Sequence, residues 1–230
     1  KWSKYGNLKI INFSKVLYQK LSKTGFNSMY IQYFPEPKEF CPGTPEEVFF
    51  WQRVTIINIE KLKKIFNKTK VKIHIHKAID PGQRYTSPSV DDEKEFKITY
   101  SEWFDTKQEM QEFMKTKGIF IAPRLREGIG ISFLEAMAQG KIVIAQDAPT
   151  MNEYIKNKKT GFLVNFKKPK PIKLSNLEQI QKNTYKYAQE GYKNWISKRK
   201  EIIDFIEKEN IEINFNFFQK LLGFFIFPKI

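Results

Sequence analysis

Cysteine is almost missing from this chain: Cys41 is the one thiol in 230 residues. A single thiol excludes an internal disulfide framework and fits a reducing compartment. Uninterrupted apolar runs are short, well below the roughly 20 residues that span a bilayer. No repeat of fixed period is present. The first residue is Lys rather than Met and no apolar leader core follows, so the expectation is a piece of a longer protein with no visible signal peptide. Acidic residues are also scarce, 25 against 40 Lys and Arg, for a net charge of +15. Such a surface attracts nucleic acid, anionic lipid or phosphorylated small molecules. Interleaved aromatic and basic repeats and known nucleic-acid modules are lacking, which argues against a nucleic-acid partner. The densest basic stretch, Tyr154–Lys200, carries thirteen Lys and Arg against two Glu. It reads as a solvated face or as one held toward an anionic membrane surface.

What is present is globular: 41% hydrophobic, 28% charged, 21 Phe. Alternating apolar strands and amphipathic helices recur from "VFFWQRV" onward and argue for parallel βαβ units. The runs "IFIA" and "IVIA" suit strands covered on both faces. Before them, "FSKVLYQKLSKTGF" reads as a helix capped by Ser14 and stopped at Gly25, "SMYIQYF" as a strand, and "PEPKEFCPGTPEE" as a linker. "TKQEMQEFMKTKG" reads as a helix closed by Gly118. Lys77–Glu95 is too long for an ordinary connection and reads as a functional or mobile loop. The stretch from "SNLEQIQ" to "DFIEK" reads as helix with a break near Gly191. The apolar tail "INFNFFQKLLGFFIFPKI" reads as packing onto a further domain, as lying in a membrane interface, or as disordered.

The stretch "PRLREGIGISFLEAMAQG" carries the chemistry. A strand ends at Pro123, a loop carries Glu127, Gly128, Ile129 and Gly130, and a helix starts near Ile131. Open α/β sheets bind ligands at such carboxyl-end turns. The free amides and dipole of the first helical turn favour a phosphate or diphosphate. Carboxylates repel phosphate but accept charge-assisted hydrogen bonds from sugar hydroxyls. Glu127 before the anion site and Glu135 one turn beyond it therefore describe a ligand with a hydroxylated ring on each side of a diphosphate, which is a nucleotide sugar. The plain alternative for Glu135 is a surface glutamate on an amphipathic helix.

"PRLREGIGISFLEAMAQGKIVIAQDAPTMNEYIKNKKTGFLV" closely resembles the donor-binding signature of retaining GT-B glycosyltransferases of family four, with its E-x7-E motif. The resemblance covers about Phe49–Glu207 and is strongest from Gly118 to Val164. It implies a Rossmann-like parallel sheet flanked by helices, the C-terminal half of a GT-B fold. It implies that Glu127 meets the donor sugar, that Glu135 holds the ribose, and that the amides of Gly128–Gly130 and Ile131 face the diphosphate. Arg53 fits the family's diphosphate arginine and shares the catalytic assignment with Glu127. The family's lysine five residues later falls on Asn58, which leaves Lys61 as a substitute only if its helix starts differently. Arg124 stands where relatives often have serine and adds positive charge. The implied organisation is a remnant of the N-terminal acceptor domain plus hinge (1–45), a donor-binding domain (46–190), a crossover helix (191–207) and the apolar tail (208–230). The implied activity is transfer of a sugar with retention from a nucleotide diphosphate sugar, UDP-linked, to a polysaccharide or lipooligosaccharide acceptor. It needs no metal or cofactor and takes place in the cytoplasm or at the inner face of the cytoplasmic membrane. A non-catalytic nucleotide-binding module is the alternative, and Asn58 favours it.

Weaker features remain. His74 and His76 share a strand face and are candidates for a metal site or the edge of a base pocket. Asp91–Glu93 is an acidic loop or a metal motif. Trp103 and Tyr100 are candidates for stacking on a base or for rim packing. Glu153 suits the dipole of a helix start.

Overall fold

The structure, a computed structural model, describes residues 8–209. The apolar tail read from the sequence lies outside the described residues, apart from its approach up to Glu209. Two compact units divide the chain: Phe34–Glu190, and Lys1–Tyr33 together with Gly191–Ile230.

The smaller unit contains β1 (Lys9–Asn12), α1 (Lys15–Lys23) and β2 (Asn27–Tyr30), a βαβ turn whose two strands pair in parallel. β1 has no clear sequence signature, because a four-residue strand with polar ends, Lys9 and Asn12, gives no usable period. Ser14 caps α1 as expected, accepting from the Leu17 amide. Leu21 and Phe26 are buried, with Ile10 against them. In the same unit α8 (Arg199–Glu207) brings the Ile206 carbonyl to 2.7 Å from Lys9 Nζ.

The larger unit begins with β3 (Thr44–Trp51), α2 (Ile59–Phe66), β4 (Lys72–His76), α3 (Val90–Glu95) and β5 (Thr99–Ser101). It continues with α4 (Lys107–Lys115), β6 (Lys117–Ile121), α5 (Ile131–Ala138), β7 (Ile142–Gln146), α6 (Met151–Tyr154), β8 (Gly161–Val164) and the start of α7 (Leu177–Ser197). The six strands form one parallel sheet in the order β5-β4-β3-β6-β7-β8. Alternate strand residues divide the core. Val48, Phe50, Ile73, Ile75, Ile119, Ile121, Ile142 and Ile144 meet Ile59, Leu62, Ile65 and Phe66 of α2 on one face. Phe49, His74, His76 and Phe120 stack on the other. Both faces are buried, as the apolar runs require.

Four local readings are corrected. β3 starts inside the supposed linker at Thr44, and Pro45 is tolerated there because the register with β6 shifts between Thr44 and Val48. Gly118 does not end a helix. It sits within β6, where an added Cβ would lie 2.2 Å from the Thr44 carbonyl oxygen, so two backbones meet there. The Lys77–Glu95 loop ends in α3, whose Ser89 and Asp92 form a capping box; Asp92 is also paired with Lys63 at 2.7 Å. Asp91–Glu93 is thus the start of a helix, where acidic residues suit the dipole. α7 runs through Gly191 without a break and ends at Ser197; one glycine costs a helix only about 1 kcal/mol.

His74 and His76 are interior groups. The ring nitrogens of His74 share hydrogen bonds of 2.8 Å with Thr99 Oγ1 and Ser101 Oγ, and His76 Nδ1 shares another with Ser101 Oγ. Phe49, Phe104 and Phe113 pack on the rings. Burial lowers both imidazoles to about 4, and for His74 the charge of Lys117 contributes further. The unfolded chain therefore takes up protons below pH 6.5 that the folded chain refuses, so stability falls as pH drops from 6.5 toward 4. The thermal midpoint should decline between pH 6.5 and 5, and His74→Gln should flatten that slope. A midpoint independent of pH in this window would contradict the burial of these rings.

Candidate functional site

In the sheet order, the chain builds outward from β3 through β4 to β5, then returns to add β6, β7 and β8 on the other side. The crevice lies at the carboxyl ends of β3 and β6, where the direction reverses. Arg53 follows β3 and Arg124 follows β6, so the two strands deliver both arginines to one place.

The β6–α5 turn shows how the sequence shapes this end. Gly130 is the N-cap of α5 at φ 73, and an added Cβ would come within 2.0 Å of the Phe133 ring. Only glycine combines that left-handed backbone with that closeness. No side chain caps α5, so its first amides face the crevice with the positive end of the dipole. Gly128 is different. Its conformation is ordinary and a Cβ there would meet nothing within 4 Å. The fold does not require glycine at 128, and the space in front of it is open. Thr150 Oγ1 fixes the loop by donating to the carbonyls of Glu127 (2.8 Å) and Gly128 (3.3 Å). Ile129 is half-buried, and Ile131 is exposed at the start of the helix.

A charged cluster stands in the crevice. Asp80 Oδ1 accepts from Arg53 Nε (2.8 Å) and Nη2 (2.6 Å). Asp80 Oδ2 accepts from Arg124 Nε (2.9 Å) and Nη2 (2.7 Å). Arg124 Nη1 is 3.9 Å from Glu127 Oε2. Burial would raise the Asp80 carboxyl, but the hydrogen bonds from Arg124 and Arg53 outweigh it and hold the group below its ordinary value. Glu127 goes the other way. Burial raises its carboxyl above the ordinary value, the Asp80 charge adds to this, and the two arginines only partly offset it. Arg53 also lies against the Trp51 ring, 4.6 Å from its centroid.

Trp51 faces a cavity of about 630 Å³ between α4 and α5. Ser132, Glu135 and Gln139 supply its polar wall on α5, and Met110, Met114 and Phe120 its apolar side. That size suits a small ligand with a few placed polar groups. The polar stripe of α5 therefore lines a cavity rather than open solvent. Asn58 holds a structural post. It caps α2, accepting from the Lys61 amide (3.2 Å) and donating to the Thr55 carbonyl (3.1 Å). Lys61 is thus fixed in the first turn of α2 and does not precede it. Trp103 is 77% exposed beside His76, on the loop after β5. Glu153 lies in the short helix α6. Sequence reasoning missed Asp80, Trp51 and Thr150; the "DPG" at 80–82 signals a turn but not a charge partner.

Residues 97–201 match the family described as "Glycosyl transferases group 1". The fold is that of the C-terminal half of a GT-B glycosyltransferase. A probable sucrose-phosphate synthase of Thermosipho melanesiensis is 34% identical over 113 residues, which cover 47% of this chain and 26% of that protein. Among solved structures, a glycosyltransferase from Rickettsia africae superimposes with a TM-score of 0.62 at 17% identity, covering 90% of this chain and 68% of that one. The pneumococcal O-GlcNAc transferase GtfA, solved with UDP and GlcNAc, gives 0.61 at 14% identity, covering 87% and 46%. Anabaena HepE, solved with UDP and glucose, gives 0.61 at 14% identity, covering 89% and 64%. At such identities the likeness is one of fold. The chain spans about a quarter of the curated relative it matches. The GT-B architecture expected from "PRLREGIGISFLEAMAQG" is the one observed.

The crevice has a consequence for stability. Because the folded protein binds the Glu127 proton more tightly than the unfolded chain does, the ionised carboxylate destabilises the fold above its titration range. Glu127→Gln should raise the thermal midpoint at pH 7, and the gain should vanish as pH falls below the ordinary 4.5. A loss of stability at pH 7 would show that the Arg124 contact, not burial, dominates at this residue.

Proposed function

We propose that the chain is the donor-binding half of a retaining glycosyltransferase that takes a nucleotide diphosphate sugar of the UDP class. One observation carries this reading: two arginines from strands on opposite sides of the reversal point converge on Asp80, and the turn that carries Arg124 leads into an uncapped, glycine-started helix. That arrangement suits a diphosphate, whose oxygens need several preorganised donors at once. Glu135, on the cavity wall, takes the ribose hydroxyls. Glu127, across the α5 N-terminus, takes the hydroxyls of the transferred sugar. Relatives of this fold solved with UDP lend support.

Chemically, the bond from the anomeric carbon to the β-phosphate oxygen breaks, and an acceptor hydroxyl oxygen bonds to that carbon while its proton passes to the departing diphosphate. The leaving diphosphate gains charge as the bond lengthens. Arg53, Arg124 and the first amides of α5 stabilise that charge without having to reorganise. These cationic groups supply what a metal would, so the reading invokes none. The acceptor is a glycan or glycolipid, and the lysine-rich 154–200 stretch supports approach to an anionic membrane surface at the cytoplasmic side. No helix among the described residues is long and apolar enough to cross a membrane. A non-catalytic nucleotide-binding module is the second reading. It is favoured by Asn58, which caps α2 where relatives of the family carry a diphosphate lysine.

UDP at about 100 times its Kd should stabilise the chain by about 2.7 kcal/mol, a shift of several degrees in a thermal melt for a chain this size. Glu135→Ala should weaken UDP itself. Glu127→Ala should spare UDP and weaken the UDP-sugar alone. Absence of a shift with any nucleoside diphosphate contradicts both readings, and equal loss of UDP in both variants contradicts the division of roles. Sugar transfer by a version that includes the acceptor half separates the first reading from the second.

A further inference from the structure

Asp80 belongs to no motif, yet it makes the shortest and most numerous polar contacts in the crevice. Each of its oxygens serves one arginine, through that arginine's Nε and Nη2 edge. A guanidinium has five N–H donors, so each arginine keeps Nη1 and further hydrogens for other acceptors. Two guanidiniums drawn toward one point repel each other; the carboxylate between them removes that repulsion and leaves one net positive charge among the three side chains.

Two roles are physically open to such a carboxylate. It can stand in for the incoming anion and be displaced by it, or it can stay and hold the arginines in place. The backbone favours the second. The Asp80 amide donates to the Arg53 carbonyl at 2.9 Å. The Thr55 amide donates to Gln83 Oε1 at 3.0 Å, and the Arg84 amide donates to Thr55 Oγ1 at 2.8 Å. Residues 80–84 are thus strapped onto residues 53–55, directly after β3. The strap holds the Asp80 backbone opposite both arginines, so the carboxylate stays within reach of both. The Trp51 ring also supports Arg53, its centroid 4.6 Å from the guanidinium carbon.

We infer that Asp80 is a positioning residue, which orients Arg53 and Arg124 so that their remaining donors meet the oxygens of a diphosphate. The inference rests on the donor-binding reading above. It makes Asp80 necessary for the phosphate part of affinity and indifferent to the nucleoside part.

The test compares uridine with UDP by calorimetry on wild type, Asp80→Asn and Asp80→Ala. The preference for UDP over uridine should fall about tenfold in both variants, with uridine binding unchanged. An unchanged or increased preference overturns the inference, the increase identifying Asp80 as a competitor of the anion. An equal loss for uridine and UDP also overturns it, by reducing Asp80 to a structural post. A second measurement needs no variant. The Nε–H resonances of Arg53 and Arg124 in wild type should keep their hydrogen-bonded shifts when UDP is added; their loss would show displacement and overturn the inference. Wild type that binds neither uridine nor UDP contradicts the donor-binding reading itself, and this is seen before any variant is made.

Discussion

The parallel pairing of β3 with β6 is the constraint on which the site depends. Val48, Phe49 and Phe50 lie in register with Ile119, Phe120 and Ile121. That register brings the two strand ends level, so that Arg53 and Arg124 emerge as neighbours although 70 residues of chain separate them. A slip of one residue would turn each strand's core face outward. The pairing is held from both sides, by the aliphatic cluster on α2 and by the Phe49–Phe120 stack with the two imidazoles. Gly118 lets the start of β6 lie against the start of β3 where any side chain would collide. The position of the charges is therefore set by packing below the crevice.

Above the sheet the balance is different. Two arginines, one aspartate and one glutamate share a partly buried space, and their formal charges cancel. Asp80 is comfortable there, because four short contacts hold its charge. Glu127 is not, because one long contact to Arg124 does not compensate for its burial. Glu127 thus carries an uncompensated desolvation cost that Asp80 does not. Elsewhere the chain treats charge conventionally. Asp92 is capped and paired with Lys63, and buried Lys141 donates to the carbonyls of Cys41 and Lys117.

Much of this was legible because the relevant signals are local. Strand runs such as "IFIA" and "IVIA", the glycine at a helix start, and a glutamate on each side of that start need only neighbouring residues to be read. Arg53, Arg124 and Glu127, named from sequence, meet in one cluster, and Glu135 lies on the cavity beside it. What stayed hidden depends on contacts between distant segments. Asp80 sits in a polar loop whose destination is set by hydrogen bonds to residues 53–55. Gly118 looks like a helix stop until the Thr44 backbone is placed against it. Gly191 looks like a break until the packed face of α7 is seen to carry the helix through, with Ile180, Gln181, Thr184 and Ala188 buried. β1 is too short and too polar at its edges to show a period at all.

A crystal structure of the chain with UDP tests the central claim most directly. The account places the two phosphates between Arg53, Arg124 and the first amides of α5, with the ribose against Glu135 and Asp80 still bridging the arginines. Nucleotide bound away from the carboxyl ends of β3 and β6, or phosphates that leave both arginines untouched, would contradict it.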